Sequence, residues 1–227
     1  YFPPKWKHLA PPEYTPGGAS DRLISFVDYA PTVLSLAGVP VPAYMQGRAI
    51  AGAARGPVRE FDYTLRDRMD ERYDLSRAVT DARYRYVRHY LPHLPAGQHV
   101  DFLWRQESMR EWEKAYRAGT LNAVQSAFFQ ERQPEELYDL EADPWETRNL
   151  AGLPEHAATL RELRGKLEEW MRATGDMGGT PETKPTVAEI IADTREKTYV
   201  RPLRQRGLSA NPTDAEMVRW WESHYRN

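Results

Sequence analysis

Arginines and carboxylates crowd into one short run, Arg66-Asp67-Arg68-Met69-Asp70-Glu71-Arg72-Tyr73-Asp74. Arginine grips sulfate, phosphate and carboxylate groups through paired N–H donors, and Asp or Glu accepts hydrogen bonds from sugar hydroxyls. Arg66, Asp67, Arg68 and Glu71 lie at and just beyond the end of a stretch with strand character, Val58 to Arg66. The end of a strand is where side chains reach a neighbouring cleft, so these residues are the candidate substrate-binding set. The competing reading is a solvated turn whose charges pair with one another. Histidines offer less. His89 and His93 are four apart, a metal-binding spacing on a helix, but Pro92 and the extended pattern around them break that geometry. His93 and His99 bracket a Pro/Gly loop and read as packing or surface residues. With 0 cysteines there is no disulfide, zinc-thiolate site or cysteine nucleophile in these 227 residues.

The elements that must position this run belong to an ordinary globular composition, 41% hydrophobic and 28% charged. A mean hydropathy of -0.74 points to long surface loops or a solvated tail. The net charge of -2 provides no global basic field for nucleic acid. No apolar run approaches the ~20 residues of a membrane span.

Residues 1–19 are rich in Pro and Gly and read as an extended connector in the middle of a longer polypeptide. Asp28 to Gly38 predicts a short helix, with Asp28 capping its first amides, Pro31 in the first turn and Gly38 as the stop. Val33, Leu34, Leu36 and Ala37 would form its buried stripe. Val58–Arg66, Leu75–Asp81 and Arg83–Tyr90 read as strands, the last two as a hairpin covered on one side only. Phe102 to Ala118 reads as one helix, with Thr120 capping the next. Leu137–Leu140 is a further strand. Pro154 to Thr174 is an amphipathic helix with Leu160, Leu163, Leu167, Trp170 and Met171 on one stripe. Beyond Asp176 come a Gly/Pro linker, a helix at Val187–Lys197 and another at Ala215–Tyr225, with Trp220, Trp221 and Tyr225 as its docking face. The tryptophans are spread over many elements, which favours core and docking contacts over a sugar-stacking platform.

Three blocks occur in order. Ser20 to Pro40, with Val27-Asp28-Tyr29-Ala30-Pro31-Thr32-Val33-Leu34-Ser35-Leu36-Ala37-Gly38 at its centre, resembles the "V-D-x-x-P-T-x-L-x-x-A-G" helix that follows the catalytic core of sulfatases. Gln46-Gly47-Arg48 is similar to their "Q-G-x-S-L" turn, with Ala49 where serine is usual. Glu136 to Leu150, with "E-L-Y-D-L", "D-P-x-E" and "N-L", resembles the strand and turn near the sulfatase C-terminus. Each block alone is a packing pattern; three in sequence are specific. The Arg66–Asp74 run further resembles bacterial sulfatases near the heparan N-sulfatase (N-sulfoglucosamine sulfohydrolase) group.

The resemblance implies an α/β fold: the C-terminal part of an alkaline-phosphatase-like sulfatase, with a small antiparallel sheet packed on a C-terminal helix. Residues 1–57 would end the catalytic-core domain, 58–175 form a C-terminal subdomain, and 176–227 a linker and helical tail. It implies hydrolysis of sulfate esters or sulfamates, such as those on glycosaminoglycan sugars, by a formylglycine nucleophile with calcium. No residue here is assigned a catalytic or metal role: there is no cysteine and no Ser-x-Pro-x-Arg. The implied partners are the N-terminal catalytic portion of the same protein and a sulfated small molecule or glycan, without nucleic acid or membrane. The implied compartment is periplasmic or extracellular. A related phosphoesterase or phosphonate hydrolase, and a free-standing carbohydrate-binding or interaction module, are the alternatives.

Overall fold

The computed structural model describes residues 1–69, 72–181, 196 and 200–225. They fall into two compact units. One comprises Tyr1–Thr64, Ala78–Tyr86 and Leu137–Leu167; the other comprises Leu65–Arg77, Val87–Glu136 and Glu168–Asn227.

In the first unit the proline-rich opening is more ordered than its composition suggests. Pro4–Leu9 forms a 3-10 helix. Prolines are tolerated there because the first N–H groups of a helix have no internal partner to lose. Trp6 N–H donates to the Pro3 carbonyl at 2.8 Å and Ala10 N–H to that of Lys7 at 3.1 Å. Gly52 N–H then ties the segment down through the Leu9 carbonyl at 2.7 Å.

Helix α1 covers Tyr29–Leu36, entered through a 3-10 turn at Phe26–Asp28. Its inner face differs from the expected stripe. Pro31, Thr32 and Ser35 are buried, whereas Val33 and Leu36 are exposed. The reason is polar: the strap from residue 47 to 54 needs acceptors for its N–H groups. Ile50 N–H donates to Thr32 Oγ1 at 3.0 Å and Ala54 N–H to Ser35 Oγ at 2.9 Å. Asp28 does not cap α1 with its side chain. Its carboxylate instead accepts from Arg48 N–H at 2.7 Å, Ser25 N–H at 3.0 Å and the Arg59 guanidinium. The strap lies so close that a Cβ at Gly47 would sit 1.9 Å from the Val27 carbonyl oxygen. One at Gly52, whose φ is +89°, would meet Ser35 Oγ at 2.3 Å.

Four strands pair in the order β1 (Asp62–Arg66), β2 (Ser76–Thr80), β3 (Tyr84–His89) and β4 (Glu135–Asp139). The β2–β3 hairpin is antiparallel: Asp81 N–H donates to the Tyr84 carbonyl at 3.0 Å and Tyr90 N–H to that of Leu75 at 2.9 Å. The β3–β4 pair is antiparallel too, with His89 N–H on Pro134 O at 2.9 Å and Leu140 N–H on Arg83 O at 2.7 Å. Every residue of β2 is buried, so this strand is covered on both faces rather than one. Ser76, Arg77 and Thr80 are buried with Ala78 and Val79, and the polar members are held by hydrogen bonds.

Helix α5, Ala157–Thr174, follows a 3-10 turn at Pro154–His156 and buries Leu160, Leu163 and Leu167. Side chains of the β3 hairpin arm meet it: Arg88 Nη2 donates to Glu168 at 3.1 Å and Tyr90 OH to Met171 Sδ at 3.5 Å.

In the second unit the expected helix from Phe102 to Ala118 is two, α2 (Asp101–Trp104) and α3 (Glu107–Arg117). The break falls at Gln106, whose backbone is extended, and Arg110 Nη1 takes up the freed carbonyls of Trp104 and Arg105 at 3.0 and 2.8 Å. The next helix, α4 (Ala123–Ser126), is capped by Asn122 through a reciprocal pair with Gln125, not by Thr120. Thr120 instead donates its hydroxyl to the Ala115 carbonyl. Trp104, Leu203 and Met217 form a buried cluster with Trp220 packed against it. Leu203 and Met217 come from the helices Arg201–Gln205 and Asp214–Tyr225. The predicted helix at Val187–Lys197 lies outside the described residues, Glu196 excepted. No helix among the described residues is long and apolar enough to cross a membrane.

Candidate functional site

Two buried ion clusters of the second unit hold the Arg66–Asp74 run in place. Arg77 on β2 is 3% exposed and cannot leave its charge unpaired at that depth. It takes two carboxylates. Its Nη1 and Nη2 donate to Asp67 at 2.8 and 3.3 Å, and its Nε and Nη2 donate to Asp176 at 2.6 and 3.0 Å. Its Nη1 also caps the Arg66 carbonyl at 3.3 Å, which fixes the backbone at the end of β1. Arg77 in turn holds the Asp176 carboxyl below its ordinary value. Burial works against the Arg77 charge, and the two carboxylates outweigh it, so its pKa is raised.

The second cluster centres on Asp74, which is fully buried. Arg132 donates to both its oxygens, at 2.6 and 2.9 Å, and Leu75 N–H adds a third bond at 2.7 Å. Arg66 Nε stands 3.2 Å from Asp74 Oδ2, an ion pair without hydrogen-bond alignment. Arg132 is itself anchored by the carbonyls of Leu94 and Leu91. Ser76 Oγ lies 2.8 Å from His89 Nδ1, and His89 Nε2 stands 3.1 Å from Glu136. His99 pairs with Glu113 at 2.8 Å. Burial raises the Glu113 carboxyl, but hydrogen bonds from His99, Trp104 and Arg117 together hold it below its ordinary value.

The candidate residues are thus placed as follows. Arg66 sits over buried Asp74 with about a third of its side chain exposed. Asp67 is half-exposed and engaged by Arg77; an ionised carboxylate has about four acceptor positions, so it keeps capacity for further donors. Arg68 lies with its guanidinium carbon 5.2 Å from the centre of the Tyr73 ring. Glu71 lies outside the described residues. Met69 and Arg72 exchange backbone hydrogen bonds of 2.7 and 2.8 Å. Sequence reasoning missed Asp74, Arg77, Arg132 and Asp176 as the frame beneath these residues. One signal was available: a lone arginine inside Leu75-Ser76-Arg77-Ala78-Val79 must find partners if that strand is buried.

Arginine and carboxylate groups of this kind suit an anionic, hydroxylated ligand. Among the described residues no group of His, Cys, Asp or Glu stands together as a metal site. Calcium and formylglycine, implied by the resemblance, do not fit the residues present, and no step is derived through either.

No family model matches the chain. An ulvan-active sulfatase of Formosa agariphila is 40% identical over 164 residues, covering 72% of this chain and 28% of that protein. The chain belongs to the sulfatase family. The N-acetylglucosamine-6-O-sulfatase of Bacteroides thetaiotaomicron is 29% identical over 171 residues, 75% of this chain and 25% of that sulfatase. The human N-sulphoglucosamine sulphohydrolase is 26% identical over 175 residues, 70% of this chain and 34% of its own length. The chain therefore spans about a quarter to a third of the sulfatases it matches. Among solved structures, a 2-O GAG sulfatase overlaps 70% of this chain and 27% of its own, at 21% identity and a TM-score of 0.47.

Proposed function

We propose that this chain is the C-terminal portion of a sulfatase that hydrolyses sulfate esters or sulfamates on sulfated sugars, glycosaminoglycans among them. The observation that carries it is the 40% identity to an ulvan-active sulfatase over 164 residues. Relatives named for N-acetylglucosamine-6-O-sulfate and N-sulphoglucosamine support the sugar as the class of substrate. The portion completes the fold with its small antiparallel sheet set on helix α5, and it provides one rim of the substrate cleft through Arg66, Asp67, Arg68 and Glu71. Its partner is the N-terminal catalytic portion of the same polypeptide, which would supply the formylglycine and the calcium ligands. The enzyme works in the periplasm or outside the cell.

The physical case for the rim is charge and anchoring. A sulfated sugar brings an anion and hydroxyls together, and the run, fixed by buried ion pairs, presents both matching groups. The complete gene product should hydrolyse 4-methylumbelliferyl sulfate or a sulfated amino sugar. In that enzyme, Arg68→Ala is expected to raise KM about tenfold with kcat little changed, the signature of lost binding without lost chemistry. An unchanged KM for both Arg68→Ala and Arg66→Ala removes the rim role. Turnover of phosphate esters with none of sulfate esters replaces the reading with a phosphoesterase.

A further inference from the structure

Helix α1 and its entry turn are amphipathic the wrong way round for a self-contained unit. Phe26, Tyr29, Val33 and Leu36 follow helical spacing and form one stripe, yet they are 86%, 51%, 63% and 37% exposed. Phe26 and Tyr29 pack edge to face at 5.0 Å, so the stripe is a continuous surface and not a set of isolated side chains. Val27 on the same entry turn is exposed as well. The helix cannot rotate to bury this stripe. Thr32 and Ser35 on its other face are bound to the 47–54 strap, and Asp28 to Arg48 and Arg59. Patches of this kind mark interaction surfaces.

We infer that the Phe26–Tyr29–Val33–Leu36 stripe is the seam on which the rest of the sulfatase polypeptide docks. This rests on the reading of the chain as a sulfatase portion. The occupant follows from length: the ulvan-active sulfatase is matched over 28% of itself, so most of a protein of that kind lies outside the match and needs a surface to pack on. A second copy of this chain would have to offer a self-complementary face. The stripe is a single helix ridge with Phe26 and Tyr29 at its leading end, a shape that fits a groove between elements of a larger body.

Hydroxyl-radical footprinting tests it, comparing the complete gene product with the 227-residue chain. Phe26 and Tyr29 should label strongly in the chain and drop to near background in the complete product. Val33→Glu should lower the melting temperature of the complete product and leave that of the chain unchanged. Equal labelling in both forms overturns the seam. So does protection in the chain that grows with concentration and tracks a dimer in analytical ultracentrifugation. Sulfate-ester turnover is read on the same preparation: its absence with protection intact removes the sulfatase reading and leaves the seam standing.

Discussion

At the scale of single residues, burial decides which charges are structural. Arg77 and Asp74 cannot trade their partners for water, whereas Arg66 and Arg68 keep exposed surface. Asp74→Asn removes the carboxylate charge that pairs with Arg132 and leaves that guanidinium on neutral acceptors. It is expected to lower unfolding free energy by about 3 kcal/mol, read from urea midpoints at neutral pH. A change of roughly a few tenths of a kcal/mol or less would contradict the structural role of the cluster. Acid should expose the same logic. Arg83 holds the Asp139 carboxyl down to about 2, against an ordinary 3.8. The depressed pKa contributes stability that is complete above the unfolded value and fades as pH falls from about 4 towards about 2. Asp28 and Asp176 are shifted in the same direction, so their contributions too are lost as pH falls. Arg83→Gln should therefore flatten the acid limb of a stability-against-pH curve measured by urea unfolding. An unaltered limb would remove Asp139 as its source. The candidate run itself was legible from its residue types, but its frame was not. Asp176 is separated from Arg77 by 99 positions, and no local pattern links them.

At the scale of elements, local punctuation was readable and the choice of inner face was not. Gly38 ends α1 with φ +71° as its position demanded, and strands, hairpin and the Pro154 helix start lie within a few residues of where their patterns put them. Apolar periodicity failed on α1 because the partner of its inner face is a strap of backbone N–H groups, which needs hydroxyl acceptors. Composition gave Phe102–Ala118 as one helix, and no local pattern marked the extended Gln106 that splits it. The strap gives a direct test. Gly52→Ala combines a left-handed backbone with a steric overlap on Ser35, and it should cost at least about 2 kcal/mol in thermal or urea unfolding. A cost near zero would mean that the strap can lift from α1 freely.

At the scale of the molecule, the sulfatase blocks were legible because they are packing motifs that this chain contains, from the Val27–Gly38 helix to the Glu136–Leu150 strand and turn. The reaction centre was not, because catalysis on a sulfate ester needs a nucleophile and a hard cation, and no motif in the sequence was assigned to either. That asymmetry makes activity the decisive observable. The most direct measurement is sulfate release from a sulfated amino sugar, with the complete gene product and the 227-residue chain assayed side by side. Steady release by the complete product and none by the chain is the expected result. Release by the chain alone, or none by a folded complete product given formylglycine-generating conditions and calcium, would contradict it.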